Sequence, residues 1–290
     1  PTPTPGGTPT PTPTPTPGGT PTPTPTPQPT PANVQLLNAS GRVFVQTGDN
    51  VGIGGFIVTG SGTKRIIARA MGPSLSVDGK PVAGRLQNPV LELHDTNGGV
   101  ISNDDWRSTQ EAEIQQTGLA PADDKESAIV KRLPAGAYTA VIRSADGSPG
   151  IGLIELYDLS SSDPAELGNL SVRASVQTDD DVLFDGLILG GGQLKRFVFR
   201  GIGPSLKSSI PGALEDPTME LHDGNGTLLF SNDNWKDAPN AAEIQSSGLA
   251  PTDDAESAIL TTLPAGSYTS IVRGVNRKTG VGLAEAFKVQ

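Results

Sequence analysis

Apolar residues recur at every second position along several stretches of this chain. Leu170, Val172, Ala174 and Val176 alternate with Asn169, Ser171, Arg173 and Ser175. Leu37, Ala39, Gly41, Val43 and Val45 form the corresponding run nearer the N-terminus. A period of two predicts a strand with one buried face. Further strands are predicted over 54–60 (GGFIVTG), 185–191 (DGLILGG), 136–144 (GAYTAVIRS) and 150–159 (GIGLIELYDL). The strands that begin at Lys64 and Lys195 carry a basic cluster each, with Arg65 and Arg69 on one face of the first. PVLELHD (89–95) and PTMELHD (217–223) each run into an Asx/Gly-rich stretch of the kind that closes a hairpin. Helical spacing is confined to 111–116 and 241–246.

These elements occur twice. KRIIARAMGPSL (64–75) returns as KRFVFRGIGPSL (195–206), an offset of 131 residues between Lys64 and Lys195. LELHDTNGGVISNDDW (91–106), GLAPADDKESAI (118–129) and LPAGAYTAVIR (133–143) return at 219–235, 248–259 and 263–273. An internal repeat means one structural unit used more than once. The copies are placed at 33–159 and 167–290, joined by a linker at 160–166 (SSSDPAE). Seven or so strands per copy with Gly-rich turns predict an all-β protein. The expected architecture is two tandem antiparallel β-sandwich domains, Ig-like or jelly-roll-like.

Residues 1–32 are a Pro/Thr/Gly tract without charge. Proline at alternate positions forbids helix and central strand and favours polyproline II, with a reach of roughly 95 Å at about 3.1 Å per residue. Such tracts are spacers and substrates for O-linked sugar. The threonines expected to carry it are Thr2, Thr4, Thr10, Thr12, Thr14, Thr16, Thr22, Thr24 and Thr26.

The net charge is −10, and the first charged residue is Arg42. An acidic balance argues against nucleic-acid partners. With no cysteine, disulfides and thiolate metal sites are excluded. No run of 18 apolar residues is present, so no membrane-spanning helix is expected. The chain begins with Pro, which reads as a processed or partial chain.

The candidate chemistry is duplicated along with the fold. His94 and His222 fall at one repeat position, and Trp106 and Trp235 at another. A residue needed for the fold recurs in every copy, so the histidines are expected to hold hydrogen bonds. The tryptophans read as packing anchors or, alternatively, as sugar-stacking platforms. Asp95, Asn97 and Asp104, with Asp223, Asn225 and Asp233, offer hard oxygen ligands from adjacent loops and make weak calcium a candidate; Asx-rich turns account for the same residues. No other cofactor is expected. Asp123, Asp124 and Glu126, like Asp253, Asp254 and Glu256, resemble a glycosidase carboxylate pair only in composition. No G-x-S-x-G or H-E-x-x-H is present. With no nucleophile, base and pocket brought together, the chain is not read as an enzyme. The basic clusters, Lys64, Arg65 and Arg69 in one copy and Lys195, Arg196 and Arg200 in the other, are expected to form cross-strand pairs with Glu155 and Glu285.

LHDTNGG, SNDDW and LPAGAYTAVIR resemble the pre-peptidase C-terminal domain of secreted bacterial enzymes over about half of each copy, with an insert at 107–124 that the family pattern lacks. The whole copy, with GPSL, ELHD, NDNW, GLAP, ESAI and LPAG-x-YT, also resembles protomers of extracellular fibrils built by donor-strand exchange. That resemblance implies a secreted, cell-surface structural subunit of a pilus-like filament, a helical homopolymer. The donor would be 34–46, with Val34, Leu37, Ala39, Val43 and Val45 filling a neighbour's groove. Alternative roles are a surface adhesin or carbohydrate-binding module, or the non-catalytic stalk of a longer enzyme.

Overall fold

The computed structural model describes residues 35–48, 50–179 and 181–289. Val34, the Pro/Thr tract and its threonines lie outside the described residues. The first copy supplies β1 (Gln35–Val45), β2 (Gly52–Met71), β3 (Ser76–Val77), β4 (Lys80–Pro81), β5 (Pro89–Asp95), β6 (Val100–Asn103), α1 (Glu111–Gln116), β7 (Ser127–Ser144) and β8 (Gly150–Asp158). The second supplies β9 (Ala165–Val176), β10 (Leu183–Gly190), β11 (Lys195–Ile202), β12 (Pro217–Asp223), β13 (Leu228–Asn232), α2 (Ala241–Ser246), β14 (Ser257–Leu263), β15 (Gly266–Gly274) and β16 (Gly280–Val289). The protein is all-β apart from the two short helices, which occupy the residues their spacing predicts.

Fourteen strands form one hydrogen-bonded sheet in the order β13-β12-β15-β10-β1-β8-β2-β9-β16-β11-β14, with β7 on β2 and β5, and β6 on β5. A bridge between Phe44 and Ser175 joins β1 to β9, so β1, β8, β2 and β9 close a circuit and the sheet rolls into a barrel. β3 and β4 form a separate hairpin.

The expectation of two sandwiches in tandem gives way to an interleaved structure. β1 lies between β8 of its own copy and β10 of the other. Reciprocally, β9 lies between β16 of its own copy and β2 of the other. The inward residues of both strands, among them Ala39, Val43, Val45, Leu170, Val172 and Ala174, belong to one hydrophobic core. Alternation buries one face of a strand but leaves open which neighbour takes its backbone edge. Here each first strand bonds across to the other copy. At the centre Gly41 meets Val172, its repeat equivalent: a Cβ on Gly41 would lie 2.5 Å from Val172 Cγ1. Only glycine fits there.

Two boundaries also shift. The pairing of β1 with β10 slips between Leu36 and Asn38, so Leu36 is buried and Leu37 is only half-buried. This β-bulge moves Leu37 off the inward face expected for it. The residues expected to link the copies are also tied down. Lys64 Nζ donates to Asp158 (2.9 Å) and to the carbonyl of Ser160 (2.8 Å), and the Arg65 amide donates to Ser160 Oγ (3.3 Å). β9 then begins at Ala165, inside the predicted linker.

Outside the barrel, each copy carries a small satellite core. Trp106 and Ile114 of α1 pack on Ile67, Ala128 and Val130. Trp235 and Ile244 of α2 repeat this on Val198, Ala258 and Leu260.

Candidate functional site

The repeated motifs converge on the same corner of each copy. Glu126, fully buried, accepts hydrogen bonds from the amides of Gly72 and Ser74 (2.9 Å each) and from Ser74 Oγ (2.6 Å). Its main-chain carbonyl accepts from the Trp106 amide at 2.8 Å. Glu256 does the same for Gly203 (3.0 Å), Ser205 (2.8 Å for the amide, 2.7 Å for Oγ) and Trp235 (2.8 Å). The Glu of ESAI therefore clamps the GPSL turn, because a buried carboxylate needs several donors.

Trp106 and Trp235 are 2% and 5% exposed, and each indole N–H donates to a backbone carbonyl, of Asp123 and Asp253, at 3.2 Å. Buried rings offer no stacking face, so the sugar-platform reading of the tryptophans falls and the packing reading holds. The Asn of the NDDW and NDNW motifs is a staple. Asn103 accepts from the Ala128 amide (2.9 Å) and donates to the Asp105 carbonyl (3.0 Å); Asn232 bonds Ala258 and Asn234 at the same distances. Tyr138 and Tyr268 donate to the carbonyls of Pro134 (2.9 Å) and Pro264 (3.1 Å), which ties each LPAG corner shut.

His94 bonds Glu92 and His222 bonds Glu220, at 3.0 Å, two residues apart on one strand. The expected cross-strand pairs form: Arg69 bonds Glu155, and Arg200 Nε lies 2.9 Å from Glu285. Burial raises the Glu285 carboxyl, against the pull of Arg200.

The calcium candidates sit in tight turns. Asp95 Oδ1 accepts the amides of Asn97 and Gly99 at 2.8 Å, and Asp223 Oδ1 accepts those of Asn225 and Thr227 at 2.9 Å. The amides hold Asp223 below the usual carboxylate range despite the desolvation that opposes them. Asp104 is raised by desolvation and by the neighbouring Asp105, and Asp233 by desolvation and by Asp216 and Asp237. Among the described residues no group of three or more acidic or histidine side chains is placed to hold a metal ion. Calcium therefore rests on the sequence alone.

Asp124 and Asp254 face Arg107 and Lys236 at 2.6 Å, not a partner carboxylate. A cleft of about 730 Å³ opens where the β3–β4 hairpin meets the turn between β9 and β10, with Arg42, Asp78, Lys80, Asp179, Asp181 and Phe184 in its wall. None of the residues selected from the repeats lines it.

Two buried ionisable features go beyond the pairs expected with Glu155 and Glu285. One is the Lys64–Asp158 pair, 0% and 2% exposed. The other is Asp185, with no exposure and no partner for either carboxyl oxygen. Comparing the copies locates both: Asp185 stands where the first copy has Gly54, and Lys288 where it has Asp158.

No protein-family model and no curated protein matches the sequence. Among solved structures, a DUF4785 family protein from Legionella pneumophila is similar at 11% identity and a TM-score of 0.26, covering 88% of this chain and 61% of its own. The chain thus spans about three fifths of that protein's length. An oxalate decarboxylase is similar at 8% identity and a TM-score of 0.19, with 88% of this chain and 69% of the enzyme covered. At these TM-scores neither likeness carries an argument about function.

Proposed function

We propose that the chain is a non-catalytic structural subunit of an extracellular bacterial fibril or pilus-like filament, assembled when β1 of one subunit enters the sheet of another. The observation that carries this reading is the position of β1. It is the first strand of the barrel, it is paired along both edges, by β8 and β10, and it joins the next barrel strand, β2, through residues 46–51. A neighbour's β1 makes the same backbone bonds in the same slot, so exchange replaces contacts one for one, as in domain swapping. The balance then depends on loop geometry and concentration. A head-to-tail exchange whose rotation does not close gives a helical filament. The repeated motifs fit a structural role, since ESAI, NDDW and LPAG-x-Y all serve internal bonds. Sugar on the threonines of the tract would coat such a filament.

The test uses the absence of cysteine. Ser40 and Gly186 are register partners on β1 and β10. In secreted material carrying Ser40→Cys and Gly186→Cys, oxidation is expected to give a ladder of covalently linked subunits, and cryo-electron microscopy is expected to trace β1 into a neighbour. An intrachain crosslink only, on separate molecules, would overturn donation and favour the adhesin or enzyme-stalk reading.

A further inference from the structure

The slot that receives β1 contains a group that does not belong in an apolar core. Asp185 of β10 is the register partner of Gly41 on β1 and of Ser270 on β15. It is fully buried, and neither carboxyl oxygen has a hydrogen-bond partner, nor has Ser270 Oγ. At the equivalent register position, where β9 meets β2, Gly54 lies between Val172 and Ala140, and none of the three is polar. Of these two equivalent inward positions, the one in the seam of the N-terminal strand therefore carries a fully buried carboxyl group, Asp185.

Leaving a buried carboxylate unpaired costs far more than leaving the neutral acid, which still hydrogen-bonds as a donor. Among the described residues the one charge that acts on it is of like sign. β1 contributes Gly41, β15 contributes Ser270, and β9 presents Val172 against Gly41. The charged group acting on Asp185 is Glu285 of β16, of like sign and bound to Arg200 of β11. Desolvation first, then Glu285, pushes the carboxyl well above its ordinary range; the nearby Ser270 hydroxyl pulls the other way but does not reach hydrogen-bond geometry and is outweighed.

We infer that Asp185 is a proton-dependent latch on β1: the docked strand seals a neutral carboxylic acid, and departure of the strand lets water reach the group and the proton leave. The acid is protonated in the docked state and ionised in the open one, so opening releases a proton. Docking is therefore fully favoured below the ordinary carboxylate range and weakens as pH rises towards the docked-state value. One proton gives at most about a tenfold change in the opening equilibrium per pH unit. As a control on strand donation the latch rests on the filament reading; as a property of the single chain it does not.

Hydrogen exchange on dilute monomer, corrected for intrinsic exchange rates, tests it between about pH 5 and about pH 7. Opening of β1 around Gly41 is expected to rise by up to about tenfold per pH unit, while β9 around Val172 stays flat. Asp185→Asn, which keeps the shape and removes the titration, is expected to flatten β1. Should that variant misfold, Asp185→Ala serves the same purpose. A β1 profile that is flat in the wild type, or equally steep in the variant, overturns the latch. Imaging the same proteins at high concentration for filaments separates the two proposals. A pH-dependent β1 without filaments keeps the latch and sinks donation; filaments with a pH-independent β1 do the reverse.

Discussion

The two copies spend the same motifs in the same way and differ in how their strands continue, in one buried ion pair, and at the positions where they meet. In both, the Glu of ESAI clamps GPSL, the Asn of the NDDW or NDNW motif staples the next strand, and Trp fills a satellite core. The seams diverge. The first copy has an uninterrupted 20-residue β2 and an 18-residue β7, where the second has the separate strands β10, β11, β14 and β15. It buries the Lys64–Asp158 pair, where the second has Lys195 and Lys288, the latter bound to Glu166 at 2.6 Å. Gly41 answers Val172, and Gly54 answers Asp185. The motif residues are duplicated; the Lys64–Asp158 pair belongs to the first copy alone, and Gly41 and Val172, where the copies meet, are complementary.

The largest test of that contrast is Lys64→Ala. It strands Asp158, whose side chain is 2% exposed, and is expected to cost about 3–5 kcal/mol. Lys195→Ala, at a half-buried position, should stay within about 0.5 kcal/mol. Denaturant titration of both variants checks the pair, and equal losses would break the contrast.

Gly41→Val comes next. It forces two branched side chains together at the centre of the barrel, at an expected cost of about 1–3 kcal/mol. Adding Val172→Gly reverses the complementarity and should recover most of the loss, which a double-mutant cycle reads directly.

A gain is expected from Asn240→Gln. In the first copy, Gln110 covers the edge of β7 by donating to the Val130 carbonyl (2.8 Å) and accepting from its amide (3.1 Å). Asn240, one methylene shorter, donates to the Leu260 carbonyl at 2.9 Å. Restoring the longer side chain should add one hydrogen bond, about 0.5–1.5 kcal/mol in thermal unfolding.

The smallest effect belongs to the histidines. His94→Ala and His222→Ala break one partly exposed pair each and should shift stability by less than about 1 kcal/mol. A larger loss in one copy alone would show that the duplicated positions have diverged in role.

Strands, helices and the repeat itself were legible because they rest on local periodicity. That a basic residue of the 64–69 cluster meets Glu155 was legible from strand alternation; that it is Arg69 needed the register of β2 on β8. The interleaving was not. Leu37 and Val172 advertise a buried face, but nothing in that alternation says whether the backbone edge goes to β8, β10 or β2. The bulge at Leu36–Asn38 hid for a related reason: one extra residue flips the faces before it while leaving the pattern after it intact. Trp106 was ambiguous because an indole suits a core and a sugar site equally well, and burial alone separates the two. Asp185 lay in plain view within DGLILGG, where an aspartate at a strand's start reads as part of a turn.

The crossing of the first strands has a consequence for the half-molecule. Either copy expressed alone has a first strand whose second edge is bare and a slot with nothing to fill it. Two such halves would complete each other as an isologous pair. At its axis the first copy would set Gly41 against Gly41, a void, and the second Val172 against Val172, a collision. The full chain avoids both, so its halves are obliged to pair as unlike partners.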